Sequence, residues 1–135
     1  MCRTKISRRS TLIIALSQLG LFVGNGPVRA DGRYRLIMVE EAGCVYCARW
    51  HAEVGQAYAR SAEGRFAPLA PVRIGDASIS NLIGLRYTPT FVLVEGPREI
   101  GRITGYPGAD FFWSLLAELL AKTSFAAPPS EDIKT

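Results

Sequence analysis

From Tyr34 to Val39 the chain reads Tyr-Arg-Leu-Ile-Met-Val, a short apolar stretch rich in strand formers, closed by the turn-like Glu40-Glu41-Ala42-Gly43. Trp50, Val54, Ala57 and Tyr58 then follow Cys47 at offsets of 3, 7, 10 and 11, the spacing of one helical face. That spacing predicts a helix opening at or near Cys44 and closing around Glu63-Gly64. Pro71-Val72-Arg73-Ile74-Gly75 reads as a second short strand, and a small helix is expected around Ser78–Gly84. Phe91-Val92-Leu93-Val94 is a third strand, turned at Glu95-Gly96-Pro97-Arg98 into Glu99–Thr104, a composition that favours a β-hairpin. After a break at Gly105-Tyr106-Pro107-Gly108, Ala109–Lys122 predicts an amphipathic helix with Phe112, Leu115, Leu116, Leu119 and Leu120 inward. The Phe111-Phe112-Trp113 cluster reads as core packing of that helix, with Trp113 at its edge. The order β-α-β-α-β-β-α implies an α/β fold, a mixed sheet with helices on both faces.

The first thirty residues have a different pattern. A basic stretch ending Ser7-Arg8-Arg9-Ser10 leads into an apolar run, Thr11 to Val23, then Gly24-Asn25-Gly26-Pro27 and the small-residue site Val28-Arg29-Ala30. This is the layout of a secretory signal peptide, and the run is shorter than the roughly 20 apolar residues that span a bilayer. The expected organisation is therefore a cleaved signal over 1–30, one domain over 31–125 and a disordered tail over 126–135. The Arg8-Arg9 pair resembles a twin-arginine signal but lacks its usual Phe-Leu-Lys continuation. Charge follows the same division. The net charge is +4, yet five of the 16 basic residues and none of the 12 acidic ones precede Asp31. The mature segment carries 11 basic against 12 acidic residues, so nucleic-acid binding loses its electrostatic support. The mature protein is expected in an oxidising compartment, the periplasm.

Of three cysteines, Cys2 lies in the signal; the other two form Cys44-Val45-Tyr46-Cys47. Ala48 stands where c-type haem attachment requires His. A closed zinc site needs four ligands, and the mature chain offers these thiols and His51. As a staple, so short a loop constrains the unfolded chain by only about 2 kcal/mol. A dithiol that cycles between thiol and disulfide is the better account. Cys44, at a helix N-terminus, is placed to be a nucleophile, and Cys47, one turn in and partly covered, to be the resolving thiol. His51 lies two turns from Cys44, about 10 Å along the axis, too far to act as its base. Its readings are a packing or surface histidine, an indirect proton relay, or the third ligand of a copper or zinc site. Trp50 reads as core or groove wall, and Tyr46 as an exposed residue shaping substrate contact.

Strand, C-V-Y-C opening a helix, a second strand, Thr88-Pro89 before a strand, hairpin and terminal helix together resemble the thioredoxin superfamily. The resemblance implies that Pro89 is cis and that Thr88 lines the substrate groove beside Cys44. The stretches Glu41–His51, Thr88–Val94 and Gly105-Tyr106-Pro107-Gly108 are similar to small periplasmic thioredoxin-like proteins of bacterial sulfur-oxidation systems. That implies thiol–disulfide exchange without a prosthetic group, keeping a protein thiol reduced, such as the cysteine of the sulfur-carrier protein. The electrons would come from a membrane dithiol donor. Two departures stand out. Met38 occupies the place of thioredoxin's buried Asp, and Val45-Tyr46 replaces its Gly-Pro. Glu40 and Glu41, if close, would oppose a Cys44 thiolate, which favours a reductase over a strong oxidant. The alternatives are a metal-handling protein using Cys44, Cys47 and His51, or a non-catalytic regulatory binding module.

Overall fold

The computed structural model describes residues 32–127. The signal segment 1–30 and the tail from residue 128 lie outside the described residues. Four strands, β1 (Tyr34–Glu40), β2 (Leu69–Arg73), β3 (Thr90–Glu95) and β4 (Arg98–Thr104), form one sheet in the order β2-β1-β3-β4. β1 runs parallel to β2 and antiparallel to β3, and β3 and β4 form the expected hairpin. Gly96 has φ +56° at the first central position of that two-residue turn, the place where such a turn takes glycine.

Alternation along β1 decides the layering. Tyr34, Leu36 and Met38 face one side, with Phe91 and Leu93 of β3, and are buried under the helices. The covering helices are α1 (Val45–Trp50), α2 (Gln56–Arg60), α3 (Ala62–Phe66) and α4 (Ala109–Leu120). Trp50, Phe91 and Phe112 meet at the centre of this layer, with ring centroids 4.9–5.5 Å apart. Val39, Val92 and Val94 point the other way, against Ile79 and Leu82.

The long helix is not continuous. A π turn at His51–Gly55 separates α1 from α2, and Ser61 leaves the helical conformation before α3. The wider turn winds the following residues back around the axis, so Trp50, Val54 and Tyr58 stay in the core at a spacing of four. Ala57, expected on that face, is rotated into solvent. The second predicted helix is a single 3-10 turn, Ala77–Ile79, capped by Asp76. Its segment supplies only Ile79 and Leu82 as buried anchors, Ile83 being exposed, so no longer helix is held there. Phe111 also departs from expectation. It is 68% exposed, because Phe112, Leu116, Leu119 and Leu120 already fill the buried stripe of α4. Among the described residues no helix is long and apolar enough to cross a membrane.

Candidate active site

Gly43, with φ +75°, ends the turn after β1, and the Cys44 N–H donates to the Glu41 carbonyl at 3.3 Å. Cys44 is thereby set at the N-cap of α1. Its Sγ accepts the backbone N–H of Cys47 at 3.1 Å, the role a Ser or Asp oxygen commonly plays. The two cysteines form a disulfide, with Cα atoms 5.3 Å apart. Cys44 is half-buried, while Cys47 is 4% exposed and belongs to the same core cluster as Trp50. One sulfur is thus reachable and the other covered. An N–H aimed at Cys44 Sγ would also stabilise a thiolate there.

The Thr88–Pro89 bond is cis, as the resemblance implied. Its loop is anchored on both sides: Thr90 Oγ1 donates to the Tyr87 carbonyl at 2.7 Å, and the Gly105 N–H donates to the Pro89 carbonyl at 2.7 Å. Thr88 Oγ1 donates to Glu41 Oε1 at 2.7 Å, tying this loop to the turn that carries Cys44. Tyr46, 57% exposed, and Tyr87, 68% exposed, line a groove with Thr88 and Tyr106. Tyr106 closes one wall. Its hydroxyl donates to Glu53 Oε2 at 2.6 Å, and Arg49 Nε donates to Glu53 Oε1 at 2.7 Å. The Tyr106 bond, then the Arg49 bond, hold the Glu53 carboxyl below its usual range. Tyr106 itself is pushed up to about 12, chiefly by burial and then by Glu53.

On the other side of the disulfide, an open depression of about 430 Å³ is bordered by Cys44, Cys47, Glu40, Glu41 and His51. Both acids foreseen as neighbours are therefore there. His51 Nε2 and Glu40 Oε2 are 2.8 Å apart, so the imidazole is committed to a carboxylate. Among the described residues no group of three His, Cys, Asp or Glu side chains could hold a metal ion. Trp50 is core rather than groove wall, and its indole N–H is buried without a partner. The Glu40–His51 and Glu41–Thr88 bonds, Tyr87 and the Tyr106–Glu53–Arg49 network were missed from sequence. Only Arg49 and Glu53, four apart on a helix, gave a local signal.

The family model for the thioredoxin-like domain matches residues 27–120. The periplasmic thioredoxin SoxS from Paracoccus pantotrophus, in its reduced form, is 44% identical. The match covers 66% of this chain and 97% of that one, with a TM-score of 0.62. A mutant thioredoxin from Halobacterium salinarum is 19% identical, the match covering 72% of this chain and 80% of that one, with a TM-score of 0.52. A thioredoxin from Thermus thermophilus is 22% identical, with coverages of 70% and 78% and a TM-score of 0.51. These two share the fold alone. No curated protein sequence matches significantly. With the family model spanning most of the chain and a paired C-x-x-C at the head of its helix, this protein belongs to the thioredoxin-like family and is a thiol–disulfide oxidoreductase.

Proposed function

We propose that this protein is a periplasmic reductase that keeps a protein thiol reduced, the cysteine of a sulfur-carrier protein being the favoured substrate. The observation that carries the reading is a half-buried Cys44 sulfur beside the cis-proline loop, with a covered Cys47 disulfide-bonded behind it. In the reducing direction the Cys44 thiolate attacks a substrate sulfur and forms a mixed disulfide, and the first substrate thiolate leaves. Cys47 then attacks Cys44 Sγ, releasing the second substrate thiolate and restoring the Cys44–Cys47 disulfide. Two electrons pass from the dithiol to the substrate, and a membrane dithiol donor replaces them. Tyr46, Thr88 and Pro89 form the substrate-facing edge. Glu40 and Glu41 support the reducing direction, since negative charge beside Cys44 disfavours the thiolate that a strong oxidant stabilises. Export is assigned to the signal pattern of residues 1–30. The likeness to a periplasmic thioredoxin named SoxS supports both the compartment and the sulfur-oxidation context.

The test is covalent capture in cells. A Cys47→Ser chain expressed with its leader should accumulate a mixed disulfide through Cys44, released by dithiothreitol and absent from the Cys44→Ser, Cys47→Ser double variant. Failure to recover any covalent partner would overturn the exchange reading. Recovery of a partner from the cytosol alone would overturn the compartment.

A further inference from the structure

Resolution of the mixed disulfide requires Cys47 to lose a proton, and its surroundings oppose that. The sulfur lies in a buried cluster with Met38 and Trp50, where burial disfavours the charged form of a thiol. Met38 brings no titratable group to it. The depression that Cys47 shares with solvent is where an acceptor can stand, and two carboxylates border it. Glu41 is taken up by the Thr88 hydroxyl. Glu40, at the end of β1, is held instead by the imidazole of His51, whose Nε2 lies 2.8 Å from Glu40 Oε2. His51 sits one helical turn after Cys47, and its backbone N–H donates to the Cys47 carbonyl, so ring and thiol ride on the same backbone.

The geometry points to the Glu40–His51 pair as the proton acceptor for Cys47. As Cys47 attacks Cys44 Sγ, its proton passes through the shared depression to the pair. The Cys44–substrate S–S bond breaks as the Cys44–Cys47 bond forms, and the pair returns the proton to the departing substrate thiolate. Glu40, which borders the cavity, supplies the acceptor oxygen. His51 is a positioning residue that fixes the carboxylate and shares its proton. The other charged groups near the pair are Glu41, next in the chain, and Arg73, which is opposite Glu40 in the β1–β2 register. Arg49, also on α1, is turned to Glu53 and the Tyr106 ring. This assignment rests on the proposed resolving role of Cys47.

Dithiodipyridine separates the steps. With reduced protein, the first pyridinethione released reports attack by Cys44 and the second reports resolution by Cys47. In Glu40→Gln the second release should slow by about 100-fold near neutral pH, a typical contribution of positioned proton transfer. The deficit should shrink as rising pH ionises Cys47 directly, while the first release is not slowed, since losing a negative charge beside Cys44 favours its thiolate. Glu40→Asp should recover part of the rate, and His51→Gln should shift the pH profile of the second release alone. A wild-type rate and pH profile for the second release in Glu40→Gln would overturn the assignment. So would equal slowing of both releases at every pH, which marks a merely structural role. Wild-type protein that never releases the second thione would instead sink the resolving role of Cys47.

Discussion

Gly64 shows how one backbone position can govern a helix junction. A Cβ there would lie 1.9 Å from the Tyr58 carbonyl oxygen, which also accepts the Ser61 hydroxyl and N–H. Gly64→Ala should therefore cost about 3 kcal/mol, the upper end of what overpacking usually costs, read as a lowered urea midpoint at unchanged m-value. Thr88→Val keeps shape but removes the bond to Glu41. One hydrogen bond is worth about 0.5–1.5 kcal/mol, so the melting temperature should fall by a few degrees, and kcat/KM for a protein disulfide by up to about tenfold as the loop loses its tie to the Cys44 turn. Cys44, Cys47 and Pro89 were legible because each sits in a contiguous motif. Glu40 with His51, and Glu41 with Thr88, were not, because the chain brings them together across 11 and 47 positions. Phe111 was misread because its type resembles its neighbours, and only the packed direction of α4 sorts it outward.

Between elements, the Tyr106–Glu53–Arg49 network joins the π turn to the segment after β4 and so braces one wall of the groove. Glu53 is held below its usual range by Tyr106 first and Arg49 second. A carboxyl depressed in the folded state stabilises the fold above its unfolded value, about 4.3, and loses that contribution as pH falls through the folded value. Tyr106→Phe removes the larger cause. Its melting temperature should thus lie below wild type at neutral pH and converge with it in acid, measured by thermal melts across that range. Strand positions and the hairpin were readable from alternation and turn residues. The π turn was not, since a 3.6-residue period fits Trp50, Val54 and Tyr58 nearly as well as the wider winding does. Only the exposure of Ala57 tells them apart.

For the molecule as a whole, the two faces of the sheet are unequally covered. One carries α1 to α4 and the aromatic cluster; the other carries a 3-10 turn, Ile79 and Leu82. Exposed side-chain bonds from Asn81 to the Pro97 carbonyl and from Arg102 to the Ile83 carbonyl hold that second cover down. Amides in the cover, such as Ser80 and Leu82, should exchange with deuterium at least about a hundredfold faster than those of β1 and β3, read by native-state exchange. This asymmetry was not visible in sequence, where the segment after β2 carries Ile74, Ile79, Leu82, Ile83 and Leu85; its reduction to one turn depended on what the sheet could anchor. The loosely held stretch ends at Tyr87, where bonds from Thr90, Gly105 and Glu41 take hold of the loop, so its softness stops short of the cis proline and of both sulfurs. The thin cover can therefore open and reclose while the reactive pair and the loop beside it keep their places.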